Sequence, residues 1–261
     1  MKIKAHRSKI FFALFFLLAT GCLPGGSTDP KLKGSKLLFS EAQKSLDARD
    51  YVDAISKLQM FLEQFPKAEQ YSWALQRLGE AFEGLLAVAY HRRIENGEDQ
   101  AAVAKDFLLK YGNYNCWKEE PSGIKYTLVQ YKTLLEKFPD SPIADETEYR
   151  MIPWEADYKG RPEGIVKELT HLEAVLEKYP STSLRQEILY KMAHRCRMLY
   201  EIHSFSPKAD LHDAARGEQY RSKATYMYRL CLNASDQTDY AQKAWAELAS
   251  LEEGKRIYIL K

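Results

Sequence analysis

The chain has no apolar run long enough to cross a membrane. Its longest, Ile10 to Ala19, is ten residues, whereas a spanning helix needs about 20. It also has no excess of one charge: 38 Lys and Arg stand against 36 Asp and Glu in 261 residues. With no basic stripe, nothing argues for binding a phosphate backbone, and nucleic acid is excluded as a partner. Cysteine is scarce, at four residues. Catalytic signatures are missing as well: there is no His-Glu-x-x-His, Gly-x-Ser-x-Gly, phosphate-binding glycine loop or Cys-x-x-Cys. His203 and His212 flank a turn and could share a metal, but no further ligand accompanies them at a recognisable spacing. The expectation is a protein that is not an enzyme and has neither metal nor cofactor.

What the amino terminus does contain is ordered. Lys2, Lys4, Arg7 and Lys9 precede the apolar run, and Leu18-Ala19-Thr20-Gly21-Cys22 closes it. Charge, short apolar core and small residues make a secretory signal over residues 1–21. Its end resembles the lipobox of bacterial lipoproteins. That resemblance implies cleavage before Cys22 and a covalent lipid on it, the one modification expected here. Leu23 at the next position, rather than Asp, resembles the signal for sorting to the outer membrane, facing the periplasm.

Removing four of the 38 basic residues leaves 34 against 36 acidic ones, a net charge of −2. Cys116, Cys196 and Cys231 then remain. An odd number permits at most one internal disulfide, and the helical patterns around Cys196 and Cys231 make them the candidate pair. Burial as free thiols is the alternative. Residues 22–34, rich in Gly, Pro and Ser, read as a flexible tether.

From Ser35 to Lys261 the pattern is helical, with no convincing strand alternation. Three segments end alike: Phe61-Leu-Glu-Gln-Phe-Pro66, Leu134-Leu-Glu-Lys-Phe-Pro139 and Val175-Leu-Glu-Lys-Tyr-Pro180. Proline stops each helix, because it lacks the donor for the next ladder bond and biases its predecessor away from α geometry. Asp140-Ser141-Pro142 and the Ser183…Gln186 capping box are expected to start the next helices. Further helices are expected over 71–94, 99–111, 122–138, 144–158, 163–179, 184–205, 213–233 and 238–253. Pro153 kinks or delimits one of them, and residues 112–121 break the array.

Leu38, Ala42, Ala54, Leu58 and Pro66, followed by Leu75, Leu78-Gly79 and Phe82, resemble tetratricopeptide repeats. Ala42 and Gly79 lie 37 residues apart, near the family period of about 34. The fold expected is all-α: a solenoid of about five irregular helical hairpins. The resemblance implies that the first helix of each hairpin lines a concave groove. It would turn Phe39, Gln43, Trp73, Gln76 and Glu80 toward protein partners, although Phe39 and Trp73 serve equally well as packing residues.

The lipobox, the tether, the first repeat and the Leu-Glu-x-Phe/Tyr-Pro endings together resemble tetratricopeptide-repeat lipoproteins of the outer-membrane β-barrel assembly machinery. That implies a lipid-anchored scaffold whose partners are envelope proteins, namely a barrel insertase and unfolded barrel clients. A repeat lipoprotein serving peptidoglycan synthesis, division or secretion would share every one of these features.

Overall fold

The computed structural model describes residues 30–154, 161–234 and 238–257. The signal segment, Cys22 and most of the expected tether lie outside these residues. Helices dominate: α1 (Pro30–Asp47), α2 (Tyr51–Gln64), α3 (Tyr71–Leu86), α4 (Arg92–Glu95), α5 (Gln100–Tyr111), α6 (Val129–Lys137), α7 (Ala144–Arg150), α8 (Pro162–Lys178), α9 (Arg185–Phe205), α10 (Ala214–Ala234) and α11 (Asp239–Glu252). A π-helical turn over Ala87–His91 joins α3 to α4, so the long helix expected from Tyr71 is continuous through it. Among the described residues no helix is long and apolar enough to cross a membrane.

The three proline stops fold identically. Phe65, Phe138 and Tyr179 each leave helical geometry at φ of −126°, −135° and −125°, and each amide still donates to the carbonyl four residues back. Two linked turns follow in every case: Ala68 to Phe65 and Tyr71 to Ala68, Ser141 to Phe138 and Ala144 to Ser141, Thr182 to Tyr179 and Arg185 to Thr182. The next helix then begins five residues after the proline, at Tyr71, Ala144 and Arg185. Thus α2, α6 and α8 are equivalent second helices, and α3, α7 and α9 are equivalent first helices.

This assigns the irregularity. The partner of α3 is α6, and residues 87–128 are inserted between them. At the α3–α6 contact, a Cβ on Gly79 would fall well inside the van der Waals radius of the buried Tyr131 ring. Ala42 fills the corresponding site on α1 and is fully buried. Close approach of paired helices is what requires a small side chain there.

Several expectations are corrected. Residues 112–121 do not merely break the array, because the segment carries a hairpin. Strand β1 (Trp117–Glu120) pairs antiparallel with β2 (Gly123–Tyr126), with Trp117 opposite Tyr126. The helix expected from 122 therefore begins only at Val129. Gly123, at φ of 119°, allows the tight turn between strands that a side chain would strain. Helix α7 ends at Arg150, so Pro153 lies beyond it. Helix α1 starts at Pro30, inside the expected tether, since proline is favoured in a first turn. The helix starts after the last two stops lack the expected side-chain caps: Ser141 bonds Ser72, and Gln186 reaches the carbonyl of Cys231. Cys116, Cys196 and Cys231 are free and buried, which removes the Cys196–Cys231 bridge. Burial pushes the thiols of Cys116 and Cys196 up to about 12 and that of Cys231 to about 11.

Two main cores result. One gathers Leu58, Phe61, Leu78, Phe82, Phe107, Ile124 and Tyr131 from α2, α3, the insertion and α6. Trp117 anchors the hairpin there, edge-on to Phe82 and Phe107 at 5.5 and 5.0 Å. The other gathers Leu172, Ile188, Cys196, Leu199, Tyr228 and Leu251 from α8–α11. Leu75, Leu134 and Ile143 form a small cluster at the seam of α3, α6 and α7.

Candidate functional site

Because α3, α7 and α9 are equivalent first helices, their inward faces line up. Between them lies a cleft of about 410 Å³, lined by Glu83 from α3, Glu146, Tyr149 and Arg150 from α7, Trp154, and Leu184 and Glu187 at the start of α9. Arg150 ties two of the helices together, its Nη2 lying 2.9 Å from Glu80 and 3.0 Å from Glu146. Tyr149 ties α7 to α9, its hydroxyl donating to Glu187 at 2.6 Å. Lys191 joins that group, 3.0 Å from Glu187, with its ammonium over the rings of Trp154 and Tyr149 at 4.4 and 4.9 Å. Trp154 remains 38% exposed at the rim.

The carboxylates differ in their surroundings. Burial alone would raise Glu187, but hydrogen bonds from Tyr149 and Lys191 outweigh it and hold its pKa low. Glu83 moves the other way, because desolvation raises it more than the Tyr131 hydrogen bond lowers it. Tyr131 donates to Glu83 at 2.9 Å. Glu83 forms no ion pair among the described residues.

The five residues assigned to the groove from the sequence separate into three groups. Phe39 packs on Phe61 at 5.5 Å, and Gln43 bonds Asp47 on the surface of α1. Trp73 is half-buried against the seam cluster. Gln76 and Glu80 come together with α7: Gln76 is fully buried with its amide 3.4 Å from Thr147, and Glu80 pairs with Arg77 and Arg150. Gln76 therefore offers no surface to a partner. Glu83, Tyr149, Arg150, Trp154 and Glu187 were not legible as a set. A signal for two of them existed: Glu187 lies seven residues after its stop proline, as Trp73 and Glu146 do after theirs, and Tyr149 lies ten after its own, as Gln76 does.

A second polar cluster joins α9, α10 and α11. Glu247 accepts from Tyr190 at 2.7 Å, from His194 Nδ1 at 2.8 Å and from Tyr228. Burial would raise its pKa, but these hydrogen bonds, led by His194, hold it low. A depressed carboxylate stabilises the fold above its unfolded value of about 4.5 and loses that contribution as pH falls through the lower folded value. Glu83, being raised, acts oppositely. We expect stability to drop with acid below about pH 4.5, and Glu247→Gln to flatten that drop, read from urea unfolding at stepped pH. An unchanged acid limb in the variant would remove this assignment.

Among the described residues, no group of three or more His, Cys, Asp or Glu is placed to hold a metal ion. His203 does not face His212. Its Nδ1 donates to the carbonyl of Leu211 at 2.9 Å, and its ring stacks on Tyr220.

No family model matches the chain. Over 171 residues it is 23% identical to the outer membrane protein assembly factor BamD of Vibrio cholerae serotype O1, a match covering 58% of this chain and 69% of BamD. This is a distant likeness. Together with the repeated turns it supports kinship with tetratricopeptide-like helical proteins.

Proposed function

We propose that the chain is a lipid-anchored scaffold at the outer membrane, facing the periplasm and serving outer-membrane protein assembly. It holds extended segments of other envelope proteins in the cleft of its first helices. The carrying observation is the alignment of α3, α7 and α9 around one open cleft with an exposed Trp154 at its rim. Large aromatic side chains supply contact area at low entropy cost, and a polar, hydrogen-bonded wall gives orientation. The likeness to BamD supports the assembly role, and the lipobox-like Leu18–Cys22 supports the anchor. Barrel clients and a barrel insertase are the partners this reading names.

A photo-crosslinking residue in place of Trp154 tests it in the native envelope. It should capture envelope proteins that the same residue at exposed Trp245 does not. Barrel proteins or their insertase among the products would support the assembly role. Peptidoglycan, division or secretion proteins would keep the scaffold and retire that role, and equal yields at the two positions would end the cleft reading. Cys22→Ser should release the chain from membranes; retention would end the anchor.

A further inference from the structure

The cleft contains an asymmetry of charge that selects its occupant. Its lining carries three carboxylates, Glu83, Glu146 and Glu187, against one cation, Arg150. Arg150 is committed to Glu80 and Glu146, and the neighbouring Lys191 to Glu187 and Tyr149. An incoming anion would have to break these pairs, leaving partly buried carboxylates unmatched. Glu83 presents the opposite situation. It is partly buried, its one hydrogen bond comes from a neutral tyrosine, and no lysine or arginine pairs with it among the described residues. The cleft also shows what kind of cation site its wall can build: the ammonium of Lys191 lies between Glu187 and the faces of Trp154 and Tyr149.

We propose that the cleft receives a lysine or arginine side chain, carried by an extended segment of the bound protein, against Glu83, while the flanking chain lies on Trp154. This rests on the scaffold reading above and names the chemistry of its partner. Pairing with a cation offsets the desolvation of Glu83, so binding is favoured by relief of a cost already present in the free protein. Specificity follows from the same arrangement, because a segment with an acidic residue at that point sets a second carboxylate against Glu83, whose only hydrogen-bond donor among the described residues is the neutral Tyr131.

The test uses the full-length chain in mild detergent and three fluorescein-labelled dodecapeptides of alternating Ser and Val, differing only in a central Lys, Gln or Glu. Anisotropy should rank them Lys, Gln, Glu, with the first step about tenfold, as for a hydrogen bond to a charged group. Added salt should narrow the gap. Glu83→Gln keeps the Tyr131 bond and should erase the preference for Lys, while Trp154→Ala should weaken all three peptides alike. A preference for Lys that survives Glu83→Gln would overturn the proposal. Equal binding of the three peptides, lost in Trp154→Ala, would overturn the cation site but leave the scaffold. Binding by none of them would overturn both.

Discussion

Replacing Arg197 with methionine is expected to destabilise the chain by about 3–5 kcal/mol, the cost of breaking a buried ion pair. Arg197 is the largest fully buried side chain among the described residues. Its Nε lies 3.3 Å from Glu201, its Nη1 donates to the carbonyl of Glu247, and its Nη2 donates to Ser250 at 3.0 Å and to the carbonyl of Lys255 at 2.8 Å. Three of these acceptors lie on the last turns of α11 and the segment after it, and the Lys255 carbonyl stands beyond the helix, where no intrahelical amide reaches it. Glu201 completes the clamp by accepting the amide of Ile257 at 2.9 Å. Methionine fills comparable space but satisfies none of these oxygens, so the loss is one of polar satisfaction rather than packing. For a domain of this size the midpoint of thermal unfolding should fall by about 10 °C. Arg197→Met with Glu201→Leu should recover part of the loss, because the charge that Arg197 balanced is removed with it, but the Ile257 amide loses its acceptor and Glu247, Ser250 and Lys255 still lack the guanidinium donor. A single variant that melts with the parent would contradict this account.

Tyr131→Ala is the second large effect, at about 3–5 kcal/mol for removing a buried aromatic ring. Tyr131 lies at the crossing of α3 and α6, with its ring on Gly79, its hydroxyl on Glu83 and its ring centre 6.0 Å from that of Tyr126 in the hairpin. One side chain thus joins a repeat, its insertion and the cleft. Gly79→Ala approaches the same contact from the other helix. Alanine favours a helix by up to about 1 kcal/mol over glycine, but overpacking costs about 1–3 kcal/mol, and the Tyr131 ring it would strike is fully buried. We expect net destabilisation. Gly79→Ala combined with Tyr131→Ala should cost less than the sum of the two, because the added methyl then occupies space the ring has left. Strict additivity in urea unfolding would show that the two residues do not touch energetically.

The sequence made the helical repeats legible because their stops are written in residue types with one physical meaning. An aromatic residue followed by proline ends a helix wherever it occurs, and α8 to α11 were placed to within a residue or two. Strands β1 and β2 were not legible. Four residues each, Trp117-Lys-Glu-Glu and Gly123-Ile-Lys-Tyr, are too few for a period of two to register. What holds them is Trp117 and Tyr126 packing on Phe82, which is a tertiary fact. The cleft was legible in part. Family offsets chose α1 and α3 but were not carried to α7 and α9, where Tyr149 and Glu187 lie. Gln76 and Glu80 show the limit of offsets, since whether an inward side chain meets a partner or a neighbouring helix depends on how closely the next hairpin stacks.

The insertion within the α3–α6 hairpin also sets an order of events. Helices α1 and α2 close over three residues, Ala48 to Asp50, whereas α3 and α6 close over residues 87–128. Lengthening a closure more than tenfold adds about 2 kcal/mol of entropic cost. We expect pairing of α3 with α6 to be the slowest step of assembly. On that expectation the α1–α2 and α8–α11 hairpins close first, and the cleft exists only once the α3–α6 hairpin has shut.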